Sequence, residues 1–461
     1  MFLVYILTVI FSGYGCFFIL FRKRPIHPVL ELHAIAIVLG CVINTLIYYN
    51  ALLLNIRLHP VIFIFGSFAL FVYALTKHRP KSIDTLISPN KKVSIAVFAL
   101  LLLFTAFISY KMKFYSWDAF AIWGLKAKQL YFTGIVGNAE FTEPALAYSH
   151  LTYPKFWPAL MSQIYSFTGF HEGYAKLVLS LFFMSFALLF FHLYQSINKL
   201  FLFAVLFCPA ILIQFSSAYA DAIYACLYAI SLYSVFQYVK TKETAYFILF
   251  TVFAAASLLT KNEGFFPCIA GLVILAYAFI KEREKMKRSV LAYGLITVFA
   301  VLPYFIWKSG LRAYDENYIH HLNLETISEN SERILIIAKS FFSYMFGQIQ
   351  FQAPFYTLPE WGLVWILAVA FSIYLFLSQR TVTMVLCISI FGAQLMLYGL
   401  IYLISPWEVT ALIQSSIDRL LLHLLIPILF LIAEYPVKEI EVEITVSEHD
   451  EISEDGFVEP L

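Results

Sequence analysis

Runs of about twenty apolar residues recur along this chain, and nothing else limits its folds as strongly. A helix needs ~20 mostly apolar residues to cross the hydrocarbon of a bilayer. Thirteen such runs are found, at residues 2–21, 29–54, 58–76, 93–110, 174–195, 200–215, 222–238, 245–260, 264–280, 289–307, 361–378, 383–404 and 420–436. With 61% of its 461 residues hydrophobic and 13% charged, the chain carries more apolar surface than a soluble core of its length hides. Backbone groups inside lipid must be satisfied within the protein, which leaves helices or a closed barrel, and runs this long are helices. The fold expected is all-α, a polytopic membrane helix bundle of about 13 transmembrane helices, with extracytoplasmic loops carrying juxtamembrane helices.

Charge placement orients the bundle. No basic residue precedes the first run, and Arg22, Lys23 and Arg24 follow it directly. Basic loops stay in the cytoplasm, so the N-terminus is expected outside and the first run is an uncleaved anchor rather than a signal peptide. Alternation then puts 22–28, 77–92, 196–199, 239–244, 281–288 and 379–382 inside, and these loops hold 17 of the 31 lysines and arginines. Residues 1–92 read as an N-terminal extension of three helices and 93–436 as the main membrane module. Residues 437–461 read as an acidic, disordered cytoplasmic tail. The segment 333–349, apolar but interrupted by Lys339 and Gln348, reads as an interfacial helix. The localisation expected is the cell membrane, in a bacterium the inner membrane, with membrane lipids as surroundings. A net charge of +2 points to no nucleic-acid partner. All six cysteines lie in apolar runs with no C-x-x-C pair, so neither disulfides nor a zinc site is expected.

Two long segments are left outside, 111–173 and 308–360. Large loops on one face favour chemistry there over transport. All seven tryptophans, Trp117, Trp123, Trp157, Trp307, Trp361, Trp365 and Trp407, map near that same face. An interfacial aromatic belt accounts for part of this, but a belt forms at both faces; aromatic platforms for sugar rings are the functional alternative. In the first loop, Tyr115-Ser116-Trp117-Asp118 leads into Ala119–Lys128. Helical spacing puts Asp118, Ile122 and Leu125 on one face. A carboxylate held there can take the proton of an attacking hydroxyl; a helix cap is the bland alternative. The Pro-broken stretch from Ser149 through His150, Tyr153 and Pro154 to Trp157 suits a rigid wall or a plain descending loop. Tyr219-Ala220-Asp221 and Lys261-Asn262-Glu263-Gly264 fall at short outer turns, as does Ser415-Ser416-Ile417-Asp418-Arg419 ahead of the last run. Arg419 at such a place can clamp a phosphate by paired hydrogen bonds or simply snorkel from a helix end. Asp315, Glu316, His320 and His321 match no recognised metal-ligand spacing.

Taken in order, these features resemble the GT-C superfamily of integral-membrane glycosyltransferases, in the branch near protein mannosyltransferases and the bacterial aminoarabinose and lipopolysaccharide-core sugar transferases. The likeness is carried by Trp117-Asp118, the Tyr153-Pro154 stretch, Tyr219-Ala220-Asp221, Thr260–Gly264, and Ser416–Leu422 followed by Pro427. It implies a polyprenyl-phosphate-linked sugar donor, an extracytoplasmic acceptor (glycan, lipid or protein), and Asp118 as the catalytic residue. Trp117, Trp123, Lys126, His150, Tyr153, Asp221, Lys261, Glu263, Asp418 and Arg419 are the candidate substrate-binding residues. No cofactor is firmly implied, although the reaction class leaves room for a divalent cation; Asp118 lacks the acidic neighbour that would hold one tightly. The chain departs from the pattern in its three extra leading helices and in lacking a C-terminal soluble domain. Two rivals stand beside this reading: an O-antigen polymerase or ligase, disfavoured because 111–173 contains no arginine, and a lipid or sugar transporter, disfavoured because no inverted repeat is visible.

Overall fold

Apolar runs bounded by turn and basic residues fold into helices because each must pair its own amides. In the computed structural model that follows from the sequence, the described residues are 1–22, 26–77, 82–84, 91–114, 116–136, 144–150, 153–194, 198–282, 298, 301–302, 304–306, 308–309, 321–347, 350–352, 355–357, 361–378 and 381–433. The helices are α1 (Phe2–Leu20), α2 (Val29–Leu53), α3 (Pro60–Lys77), α4 (Lys91–Lys111), α5 (Leu125–Thr133), α6 (Phe156–Thr168), α7 (Glu172–Leu193), α8 (Asn198–Leu206), α9 (Pro209–Gln214), α10 (Ala220–Thr241), α11 (Thr244–Leu258), α12 (Phe265–Glu282), α13 (Leu324–Glu329), α14 (Arg333–Phe346), α15 (Val364–Ser378), α16 (Val382–Ile404) and α17 (Val409–Ala433). The only extended structure among the described residues is two short ladders. Ile26–Pro28 runs parallel to Ser82–Asp84, and Gln350–Gln352 runs antiparallel to Phe355–Thr357. The protein is an all-α membrane bundle in which seven described helices, α1, α2, α3, α7, α10, α16 and α17, are long and apolar enough to cross a bilayer.

Two expected spans take another form. Residues 200–215 are broken into α8 and α9, because Pro209 has no amide to continue α8 and instead opens α9. The last span begins at Val409, so Ser415–Arg419 is helix rather than turn, and Arg419 lies well inside a 25-residue helix. The run 289–307 (apart from isolated residues), most of 308–320 with Asp315, Glu316 and His320, and the tail 437–461 lie outside the described residues. The helix expected at 333–349 is present as α14.

Close packing sets the frame. Helices α1 and α2 cross at Gly13 and Gly40, where an added Cβ would meet Ala36 O at 1.9 Å and Val9 O at 2.0 Å; small residues let backbones approach where lipid supplies no hydrophobic drive between helices. Beside that crossing, Asn44 Nδ2 donates to Ser12 Oγ (2.9 Å) and Gln163 Nε2 to the Asn44 carbonyl (3.2 Å).

Side-chain contacts define two ends of the bundle. At one end Phe2 stacks on Tyr174 (5.4 Å between centroids), Tyr110 stacks on His171 (5.6 Å), and Arg57 donates to the Tyr131 carbonyl (2.9 Å). At the other, the Tyr246 hydroxyl donates to the buried Glu31 carboxylate and the Tyr194 hydroxyl donates to the Leu429 carbonyl (2.9 Å). The start of α1, the end of α4 and the start of α7 thus share one end, while the starts of α2 and α11 and the ends of α7 and α17 share the opposite one.

Candidate active site

Asp118 is reached by a short segment leaving α4 and opens a π-helix over Asp118–Gly124 that runs into α5. The wider i→i+5 turn overturns the expected α-helical register. Ile122 is buried, whereas the Asp118 side chain keeps 24% of its surface. Gly124 is needed at the turn's end, since an added Cβ would lie 2.6 Å from the Phe114 ring.

Asp221 stands in the first turn of α10, where the positive end of the helix favours a carboxylate. The turn before it is held by Trp157, whose Nε1 donates to the Ala218 carbonyl (2.9 Å), and Ala218 adopts φ +66°. Lys261 comes from the turn between α11 and α12. That turn is pinned by the Phe156 amide on the Leu259 carbonyl (2.8 Å) and by Gly264, whose Cβ would lie 2.0 Å from the Ser257 carbonyl oxygen. The Pro154–Trp157 stretch therefore fastens the two turns that present Asp221 and Lys261.

Lys261 Nζ lies 2.8 Å from Asp221 Oδ1 and 3.6 Å from Glu263 Oε1. Burial pushes the Lys261 amine down, but the Asp221 and Glu263 carboxylates outweigh it and raise the amine above its ordinary value. Arg419 joins this group from α17. Its guanidinium contacts the Asp118 carboxylate and places Nη1 3.9 Å from Asp221 Oδ2. Nη2 donates to the Ser415 carbonyl (3.0 Å), and the guanidinium carbon lies 4.7 Å from the Tyr219 ring centroid. Asp118, Asp221, Glu263, Lys261 and Arg419 thus form one chain of alternating charge, gathered from four parts of the sequence at the end of the bundle that also carries the N-terminus.

The remaining candidates lie elsewhere. Asp418 accepts from Trp361 Nε1 at 3.2 Å. Lys126 is buried, donates to the Ser149 carbonyl, and sits 5.7 and 5.8 Å from the Trp123 and Tyr153 ring centroids. His150, at φ +52°, stacks on Tyr153 at 4.6 Å. These four residues make a second, aromatic group around a lysine. Trp117 is 60% exposed against Phe120 and Tyr148. Of the described tryptophans, Trp123, Trp157, Trp361 and Trp365 are buried within the protein, so a belt accounts for Trp117 and Trp407 only.

Sequence reasoning missed His423, four residues beyond Arg419 on α17 and fully buried. Its Nε2 lies 3.4 Å from Asp221 Oδ1. A lone histidine among leucines reads as core. The available signal was its i, i+4 spacing from Arg419, which puts both on one helix face. Asp221 Oδ2, Arg419 Nε and His423 Nε2 have no hydrogen-bond partner among the described residues; such buried atoms call for an explanation. Asp118, Asp221 and Glu263 each face a cation of the protein, and the described residues hold no group of three or more His, Cys, Asp or Glu set to bind a metal. The donor set therefore does not fit a tightly held divalent cation.

Comparison of the chain with family models, with curated proteins and with solved structures gives no match.

Proposed function

We propose that the chain is a GT-C-type membrane glycosyltransferase that moves a sugar from a polyprenyl-phosphate-linked donor to an acceptor outside the cytoplasm. The observation supporting this is the cluster of Asp118, Arg419, Asp221 and Lys261, in which a partly exposed carboxylate meets a guanidinium 301 residues away. The reaction needs both kinds of group: a carboxylate for the acceptor's proton, and cations for the charge that grows on a departing phosphate. In the proposed step the acceptor oxygen attacks the anomeric carbon and the bond from that carbon to the phosphate oxygen breaks. The hydroxyl proton passes to Asp118, and the phosphate leaves with the bonding electrons beside Arg419.

Arg419 occupies the Asp118 carboxylate at rest, so an acceptor hydroxyl reaches that carboxylate only when the guanidinium turns away. A phosphate is a better two-pronged partner for arginine than one carboxylate oxygen. Donor binding then frees Asp118, which couples catalysis to occupancy of the phosphate site. Asp221, held behind Lys261 and Arg419, is badly placed as a nucleophile, and this favours a single inverting displacement. The same reading takes thirteen crossings, with α8 and α9 together as one and 289–307 as another, and an outward-facing cluster.

The test is incubation of the purified chain with a panel of polyprenyl-phosphate sugars carrying label in the sugar. Release by the wild type and not by Asp118→Asn is expected. A folded wild-type chain that releases nothing from any of them counts against the reading.

A further inference from the structure

Between the end of α4 and Asp118 the chain has little regular structure to hold it: Met112, Lys113 and Phe114 are neither helix nor strand, and the first two are exposed. Their backbone is met by one face of α7. Glu172 and Lys176, four residues apart on that helix, are neighbours on its surface. Lys176 is fully buried, and its Nζ donates to the Met112 carbonyl (2.8 Å) and to the Lys113 carbonyl (3.3 Å). The Glu172 carboxylate accepts from the Phe114 amide (3.4 Å). Three successive residues are thus bonded to α7, and the direction of each bond follows from the groups themselves, since a lysine side chain and a backbone amide only donate here. Gly173, beside Glu172, lets the helix ends close: an added Cβ would lie 2.7 Å from the Tyr110 carbonyl oxygen. Phe114 carries the restraint onward, because its ring borders Gly124 at the end of the π-helix that Asp118 opens.

We infer that Lys176 and Glu172 are positioning residues for Asp118: they clasp Met112–Phe114 to the start of α7 and so set the point from which the π-helix leaves and the Asp118 carboxylate meets Arg419. The two sides of that contact are 301 residues apart and have unequal supports. Arg419 stands within a 25-residue helix, whereas Asp118 hangs from a short strap. The strap is the side that needs a fixed point, and α7 supplies it. The clasp acts through the backbone, and no contact with substrate is asked of either residue.

The inference rests on the proposed reaction only where turnover is read. Deuterium exchange of the full-length chain in detergent reads the clasp with no substrate present. Peptides covering 112–124 are expected to exchange on the order of tenfold faster in Lys176→Met and in Glu172→Ala, the effect of losing hydrogen bonds to charged groups. Glu172→Gln keeps an accepting oxygen and is expected to match the wild type, and α10 is expected to be unchanged in all three. Wild-type exchange over 112–124 in Glu172→Ala overturns the inference, as does faster exchange spread equally over α10, the mark of general loosening. Glu172 is only half-buried, so its two variants decide the matter even where Lys176→Met fails to fold. In the turnover arm, on whichever labelled polyprenyl-phosphate sugar the wild type uses, Glu172→Ala is expected to lower kcat by on the order of 10–10²-fold with donor KM little changed, the cost of a misplaced group. In the Asp118→Asn background the same change is expected to add nothing, and an equal further loss there overturns the inference. A wild type inert on every donor but with the expected exchange pattern supports the clasp and removes the proposed reaction.

Discussion

Arg419 serves two carboxylates and an aromatic face at once, and each contact asks for a planar fork. Lysine supplies one strongly hydrated point charge and cannot span Asp118 and Asp221 together. Arg419→Lys is expected to lower both kcat and kcat/KM for a labelled lipid-linked donor, and Arg419→Ala to lower them further, because leaving-group charge grows in the transition state. Wild-type kinetics in Arg419→Lys would mark the residue as an anchor only. Asp118→Asn is expected to lower turnover by on the order of 10²–10⁴, while its melting temperature stays close to that of the wild type because the side chain is partly exposed. Asp221 and Lys261 behave differently. Replacing either partner of a buried pair strands the other charge, at about 3–5 kcal/mol. Asp221→Leu and Lys261→Met are each expected to melt earlier in detergent, and the double variant to recover part of the loss, the sign of direct coupling. The raised Lys261 amine puts its contribution wholly below the ordinary lysine range, about 10.4, and it fades only as pH rises through the still higher folded value. Stability at neutral pH is therefore insensitive to this group. Asp118, Asp221, Lys261, Glu263 and Arg419 were legible because charge is scarce in this chain and its position stands out. His423 was not read at all, because rotation along α17, invisible without a register, decides which of its side chains come near Asp221.

At the scale of elements, the apolar runs located most helices to within a few residues, since length and hydrophobicity are local properties. Three features depend on more than local pattern. The break between α8 and α9 follows from a single proline, the π-helix at Asp118 ends with Gly124 packed on Phe114, and the start of α17 buries Val409, Ile413 and Ile417 on one face while Thr410, Gln414 and Ser415 stay exposed. The turn carrying Lys261 and Glu263 shows how much a site owes to its supports. A methyl group at Gly264 would lie 2.0 Å from the Ser257 carbonyl oxygen, a backbone atom that cannot yield without moving α11. Gly264→Ala is expected to cut yield of folded protein and shift its melting transition sharply down. Gly66 in α3 has nothing within 4 Å of an added Cβ. Gly66→Ala should be neutral or stabilise by up to about 0.5–1 kcal/mol, the helix-propensity difference. Equal melting of the two variants would show that the turn is free to shift and does not hold Lys261 in place.

For the molecule as a whole, the decisive question is which side of the membrane the cluster faces. The contacts fix relative placement: Phe2 on Tyr174 and Tyr110 on His171 put the start of α1 at the cluster's end, and Tyr194 on Leu429 puts the end of α17 at the other. The basic loops 22–28, 77–92, 196–199 and 239–244 are expected inside from the sequence, and the positive-inside rule then predicts that second end on the cytoplasmic side and the cluster outside. Packing says which helix ends lie together, and the predicted orientation rests on the charge bias. A membrane-impermeant maleimide tests it on two exposed positions. Lys128→Cys, near the cluster, is expected to label in intact cells, and Lys242→Cys, in the turn between α10 and α11, only after the membrane is opened. The wild type, whose six cysteines lie in apolar runs, supplies the background. The reverse pattern would place Asp118 and Arg419 in the cytoplasm, where activated nucleotide sugars are at hand and a lipid-linked donor is unnecessary, and the proposed reaction would fall with it.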